Sequence, residues 1–438
     1  MKNVIASAGL IVLGAASLQA ANDSGLSEVE KARPWSLSAT LRGFYDDNYN
    51  TRPDATAFIG GKTVNLRRDS FGFQLSPTAK LKLALDQTLI GLSYTYDMRW
   101  YEDRKNNSAD HSHYFNGSIN HKFSDVTKLD VSDTFVIAQE PGVLDPSGSG
   151  LPFRANGNNI RNTANIALTA GLTDTLSTVV GYNNNYIEYD QKGAGNYAAL
   201  LNRTEHLGSI ALRYKVAEST TASLGYQYGI TDYNSKEGLY PAPAAYVSPS
   251  IRNSSSHYGY VGVDQYMNPN LLLSAKAGVQ HIIHDDSALP KALRSSDTSP
   301  YAEGSLTWNY TPGSSLVAGV RHQHQASDIT GLAATPNLDA EATTLYTTLS
   351  HKLGDWTGTL TAHYINSEYT GGGAGFKGKA DDIYGVGLNI SYQVNQYLAA
   401  EIGYNYDKLT SELDVGPTTA FSRGYDRNRV YLGVRASY

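Results

Sequence analysis

The chain has 438 residues, no cysteine, 35 Lys and Arg against 41 Asp and Glu, and a formal net charge of -6. Zero cysteine excludes disulfide scaffolds, Cys-zinc sites, iron–sulfur clusters, cysteine nucleophiles and a lipid-modified N-terminal Cys. The mildly acidic balance lacks the basic footprint of a nucleic-acid binder, and 32 tyrosines are too many aromatics for a disordered chain.

The first segment reads as a secretory signal peptide over residues 1–20. Lys2 supplies the positive start, residues 4–18 are apolar or small, and Leu18-Gln19-Ala20 before Ala21 has the form of a cleavage site. After Ala20 no apolar run approaches the 18 residues that a membrane helix needs. Residues 21–34 read as a short periplasmic segment, with one helix capped by Ser24 and stopped by Pro34.

From Trp35 onward the hydrophobic period becomes two. Phe71, Phe73, Leu75, Ala79, Leu81 and Leu83 alternate with Gly72, Gln74, Ser76, Thr78, Lys80 and Lys82. The same alternation runs through Ile90 to Trp100, Ala222 to Tyr228, Leu398 to Tyr406 and Val430 to Tyr438. One apolar and one polar face means half-exposed antiparallel strands.

The connections choose the surroundings. Short turns are expected at 85–88, 124–127, 172–175, 216–219, 267–270, 311–314, 353–356 and 393–396. Longer Gly-, Ser-, Asn- and Pro-rich segments lie between them, at 47–67, 102–110, 139–160, 190–203, 233–252, 284–297, 328–340, 369–380 and 410–424. Eight turns and nine loops join 18 strands, with 16 as the alternative count. All turns then lie at one rim and all loops at the other. That asymmetry predicts a transmembrane antiparallel β-barrel over residues 35–438, with short periplasmic turns, long extracellular loops and both termini on the periplasmic side. A barrel meets lipid on its outside, so the chain needs no large apolar core. Closure completes its backbone hydrogen bonding. Tyrosines near strand ends (Tyr45, Tyr94, Tyr96, Tyr101, Tyr182, Tyr186, Tyr189, Tyr226, Tyr228, Tyr233, Tyr404, Tyr406) are expected mostly in girdles at the membrane boundary.

Two stretches carry a family likeness. Leu41-Arg42-Gly43-Phe44-Tyr45-Asp46-Asp47-Asn48 resembles the first strand of outer-membrane β-barrel porins of the kind found with exopolysaccharide gene clusters, and the close from Tyr425 to Tyr438 resembles their last. Val430, Leu432, Val434, Ala436 and Tyr438 are similar to the terminal signal read by the barrel-assembly machinery. The resemblance implies an outer-membrane barrel, in some cases linked to export of secreted polysaccharide.

With the apolar face set against lipid, the opposite face carries Arg42, Lys80, Lys82, Arg99, Lys122, Arg161, Arg213, Lys276, Arg321, Arg427, Arg429 and Arg435, against the acids Asp46, Asp97, Glu303, Glu401 and Asp407. These residues are the expected pore lining. Twelve bases against five acids point to an anion-leaning lumen. Pairing within the wall, as for Asp97 and Arg99, works against that lean. Asp133 would face lipid in the register of Leu129, Val131, Phe135 and Ile137, so a bulge or a near-rim position is expected there.

Other chemistry is sparse. His322 and His324, like His111 and His113, lie two apart on one strand side, and His281 lies near His284. Such spacing can hold a metal, but a girdle or loop-base role is the stronger reading. Gly371-Gly372-Gly373-Ala374-Gly375 lacks the context of a phosphate cradle and reads as an outer loop. The 139–160 loop is long enough to fold inward as a constriction. No paired carboxylates or Ser–His–Asp set stands out, so no enzyme, cofactor or metal is expected. The leading expectation is a passive outer-membrane channel for small hydrophilic solutes, leaning to anions. The alternatives are an exopolysaccharide exit pore and a structural or adhesive barrel with a plugged lumen. The expected partners are outer-membrane lipid, the assembly machinery, and small solutes or polysaccharide. The oligomeric state stays open.

Overall fold

The computed structural model describes residues 33–438, apart from 140–156, 286–294 and 414–422 and the short stretches 55, 60–61, 106, 242–243, 245, 330, 333–334, 372 and 374. The signal peptide, nearly all of the 21–34 segment and most of the 139–160 loop lie outside the described residues.

Eighteen long strands form one sheet. They are β1 (Trp35–Asp46), β2 (Ser70–Ala84), β3 (Thr88–Tyr101), β4 (Ala109–Lys122), β5 (Thr127–Ala138) and β6 (Asn159–Gly171). The second third is β7 (Leu176–Tyr189), β8 (Arg203–Ala217), β9 (Thr220–Tyr233), β10 (Ser254–Asn268), β11 (Leu271–His284) and β12 (Ser296–Thr311). The last third is β13 (Ser314–Ala326), β14 (Asp339–Leu353), β15 (Trp356–Tyr369), β16 (Ala380–Asn395), β17 (Leu398–Ser411) and β18 (Tyr425–Ser437). Each strand pairs antiparallel with its chain neighbours, and β1 closes the ring on β18 from Ser38↔Ser437 to Asp46↔Arg429. The eight turns and nine loops fall where the alternation of short and long connections predicts them.

Closure leaves no sheet edge, which is what a β structure in a bilayer requires. The alternating face carries apolar side chains to the outside. Leu224, Val261 and Leu432 are each above 60% exposed, as expected of residues that meet lipid. The terminal strand presents Val430, Leu432, Val434 and Tyr438 outward. Tyr438 stacks beside Trp35 and Tyr397 at the short-turn rim, and its backbone exchanges hydrogen bonds with Leu37. Both termini of the barrel therefore lie at that rim.

The aromatic girdle needs one correction. Tyr94, Tyr96, Tyr182, Tyr226 and Tyr228 face outward in the middle of their strands, several bonded to a neighbouring histidine. Tyr101, Tyr189 and Tyr233 are instead buried. They stand one residue off the lipid parity and pack beneath the loops. A residue at a strand end keeps its alternation, and alternation outranks its aromatic character.

Two small hairpins, 56–65 and 331–336, a five-residue helix α1 (Tyr197–Leu201) and a single 3-10 turn (Pro249–Arg252) decorate the loops. All lie at the long-loop rim.

Candidate functional site: the lumen and its mouth

Register places each expected lining residue on the inner face. Arg42 of β1 reaches over Gly433 of β18 to Glu401 of β17, at 2.6 Å. Arg99 meets Asp97 at 3.1 Å on β3. Lys276 holds Glu303 at 2.8 Å, and Arg321 approaches the same carboxylate. Arg427 and Arg429 converge on Asp46, which is fully buried, with Arg429 to Asp46 Oδ2 at 2.7 Å. Arg161 is buried, Arg435 donates to Ser38 Oγ, and Lys80 is half-buried. Asp407 is buried on the inner face of β17.

The expected charge balance changes on inspection of the wall. Asp110, Asp130, Glu205, Asp264, Asp297 and Asp381 share the inward parity of the bases. Sequence reading missed them because each lies near a strand end or turn. Several neutralise a base directly: Arg213 binds Asp264 at 2.8 Å, Arg203 binds Glu205 at 2.6 Å, and Lys128 binds Asp130 at 3.1 Å. The mid-barrel wall is thus a set of closed ion pairs and not a positive tube. The bases that stand exposed, Lys82, Lys122 and Lys352, gather at the periplasmic end.

Aromatic rings lie flat on this wall. The Tyr260 ring covers Gly225 and the Tyr346 ring covers Gly319, where an added Cβ would collide with them. Glycine is used there because each ring has nowhere else to lie without entering the lumen.

The mouth is built around the 327–338 connection between β13 and β14. Pairing of β12 with β13 stops at Ala302↔His322, while β13 and β14 stay paired up to Ala326↔Asp339. Above that point the backbone N–H of His324 donates to Gln280 on the lumen face of β11, at 2.9 Å. The β13–β14 hairpin therefore leans past β12 into the barrel opening. Arg252, in the β9–β10 loop and 1% exposed, donates to the carbonyls of Ser327, Ile329 and Asn337 of the hairpin and to Leu200 of α1. From the other side Arg423 binds Asp328 at 2.9 Å and Asp381 at 3.1 Å. Burial works against the Arg423 charge, but Asp328, Tyr369 and Asp381 outweigh it and raise its pKa. Ile329 packs on Ala340 and Tyr369, with Phe376 and Leu413 against them. One hairpin is thus tied to loops from both sides of the rim.

The histidines divide. His111, His113, His281 and His322 face outward and bond to Tyr96, Tyr94, Thr298 and Thr343. His284 and His324 flank the buried Asp339 at 3.3 and 3.5 Å, at the root of the hairpin. Among the described residues no group of three His, Cys, Asp or Glu is arranged to hold a metal ion. The loop-base role is where the structure puts this last pair.

Residue Asp133 differs from expectation. The β4–β5 and β5–β6 ladders run through it without a register shift, as Gly117↔Asp133↔Ala164. It sits in mid-strand and it is exposed on the outer face. Neither a bulge nor a rim position relieves it.

Residues 244–438, β10 through β18, match the family model described as "Putative beta-barrel porin 2". The resemblance read from the closing strand falls inside this match, and that of β1 outside it. No curated protein matches the chain. Among solved structures, the chain is similar to the outer membrane protein opdK from Pseudomonas aeruginosa (TM-score 0.45, 11% identity, covering 92% of this chain and 99% of that one). It is also similar to a BenF-like porin from Pseudomonas fluorescens Pf-5 (TM-score 0.43, 14% identity, 92% and 99%). These likenesses are too distant to bear on solute or mechanism. The closed 18-stranded sheet and its lipid-facing outer surface make the chain a transmembrane β-barrel, and its C-terminal strands match the porin model.

Proposed function

We propose that the chain is a passive, non-enzymatic channel for small hydrophilic solutes, narrowed at its outer mouth by the 327–338 hairpin. The observation that carries this reading is a closed barrel of porin size whose inner face carries paired charges such as Arg42–Glu401, Arg213–Asp264 and Lys276–Glu303. The expected lining residues act here chiefly in pairs, so they shape and polarise the wall more than they charge it. The lean to anions is assigned to the periplasmic end, where Lys82 and Lys122 stand exposed on the inward face. Bases there raise the local anion concentration within about one Debye length, ~8 Å at physiological ionic strength.

Single-channel recording in planar bilayers tests this. A steady conductance with a modest anion preference is expected. A silent barrel would instead favour the plugged, structural reading, which draws support from the same hairpin. Cleavage after Ala20 belongs to this proposal and is checked by N-terminal sequencing of the outer-membrane protein.

A further inference from the structure

The outer surface carries a charged residue where lipid tails should be. Asp133 stands six residues from the start of β5 and five from its end. Among the described barrel strands, every other outward-facing Asp, Glu, Lys or Arg lies within three residues of a loop end, where headgroups and water can reach it. Around Asp133 the surface is mostly apolar and open, with Asn162 and Asn184 as its outward polar neighbours. Phe115 and Phe135 lie tilted against each other above it, and Ile119, Val131 and Ile166 lie below. Phe115, Ile119 and Ile166 are each more than 40% exposed. A carboxylate in hydrocarbon lacks hydrogen-bond donors, and such a residue is costly wherever lipid alone covers it.

The immediate neighbours form a shallow dish. Gly117 and Ala164 flank Asp133 in register, and a Cβ added at Gly117 would meet only Leu92, at 3.6 Å. Small residues let two membrane surfaces approach closely. Beside Asp133 lies Asn162, also outward, whose amide donates to Asp133 Oδ1 at 2.9 Å. Among the described residues, the second carboxylate oxygen has no donor from the chain itself.

We propose that this face of β4, β5 and β6 is the contact with a second copy of the same chain. The two polar groups touch each other, so they lie at nearly the same depth. A two-fold axis along the membrane normal, passing between them, sets each Asp133 opposite the partner's Asn162. Acceptor then meets donor twice over, and the two dishes close on each other. Such a contact is self-complementary, as a two-fold interface must be. A head-to-tail ring would pair Asp133 with a different patch of the lipid face, and among the described strands no outward Lys or Arg in mid-strand offers one. The proposal rests on the outer surface and stands apart from the channel reading.

The natural absence of cysteine makes the test clean. Ala164→Cys, which leaves Asp133 and Asn162 in place, oxidised with copper phenanthroline in intact outer membranes, is expected to give a product of twice the chain mass. Leu345→Cys on β14, 45% exposed to lipid, is expected to stay single. In mild detergent, light scattering should give two chains for the parent and for Asp133→Asn, and half that mass for Asp133→Leu. Heat-modifiable gel mobility verifies that each variant is folded. An Ala164→Cys chain that stays single, or cross-links only to a different protein, overturns the proposal. So does a parent that scatters as one chain.

Discussion

The two ends of the lumen are built on opposite principles. At the mouth, charges are consumed by structure. Asp46 is fully buried between Arg427 and Arg429, and Arg252 and Arg423 bind the 327–338 hairpin from two sides. At the periplasmic end, Lys82, Lys122 and Lys352 stand exposed next to short turns. Both ends are rich in bases, yet a buried, paired guanidinium fixes geometry, whereas an exposed ammonium presents charge to a solute. Counting bases along the lumen merges these roles. The difference teaches that selectivity and rigidity are assigned to separate ends.

Substitutions can break that contrast. The largest effect is expected from Asp46→Ala, which leaves two buried guanidinium groups without their carboxylate at the β1–β18 seam. The cost is about 3–5 kcal/mol, read as a lower temperature for loss of the folded band on gels. Anion preference should be unchanged, because Arg427 and Arg429 serve the seam. Arg252→Ala comes next. It removes the donor from four carbonyls, most of which water at the open rim can reach once the hairpin loosens, so the net loss is about 1–3 kcal/mol. The hairpin should loosen while the barrel keeps its melting temperature. Single-channel current should rise and fluctuate, and the loop should become open to protease. Gly225→Val places a side chain where the Tyr260 ring lies. Overpacking of this kind costs about 1–3 kcal/mol, and the ring displaced into the lumen should lower conductance. The smallest effect on stability is expected for joint Lys82→Gln, Lys122→Gln and Lys352→Gln, within about 0.5 kcal/mol. The reversal potential should nonetheless shift toward cations, and an unchanged value would remove the periplasmic end from the selectivity account.

Much of the barrel was legible because its rules are local. Alternation at Phe71 to Leu83 and Val430 to Tyr438 reports which face meets lipid, and connection length reports which rim is which. The failures came where a local rule met a long-range partner. Tyr101 and Tyr233 have the composition of a girdle but the parity of the lumen. Asp264 looks like a turn residue until β8 and β10 come close enough to set Arg213 beside it. Among the loops, length singled out 139–160, which lies outside the described residues. The shorter 327–338 connection is the one the structure folds into the mouth. No periodicity in residues 327–338 announces that role, since it follows from the halt of β12–β13 pairing at Ala302.

The amino-acid sequence by itself determined the strand count, the inside and outside of each strand, the rim of each connection and the place of the termini. These follow from a side-chain period of two and from turn chemistry, both of which act over a few residues. Only the tertiary structure decided which charges cancel, which connection folds over the barrel opening and that no bulge or rim position relieves Asp133. Each depends on closing the ring, which sets Arg42 beside Glu401 and Asp46 beside Arg427 across nearly the whole length of the chain.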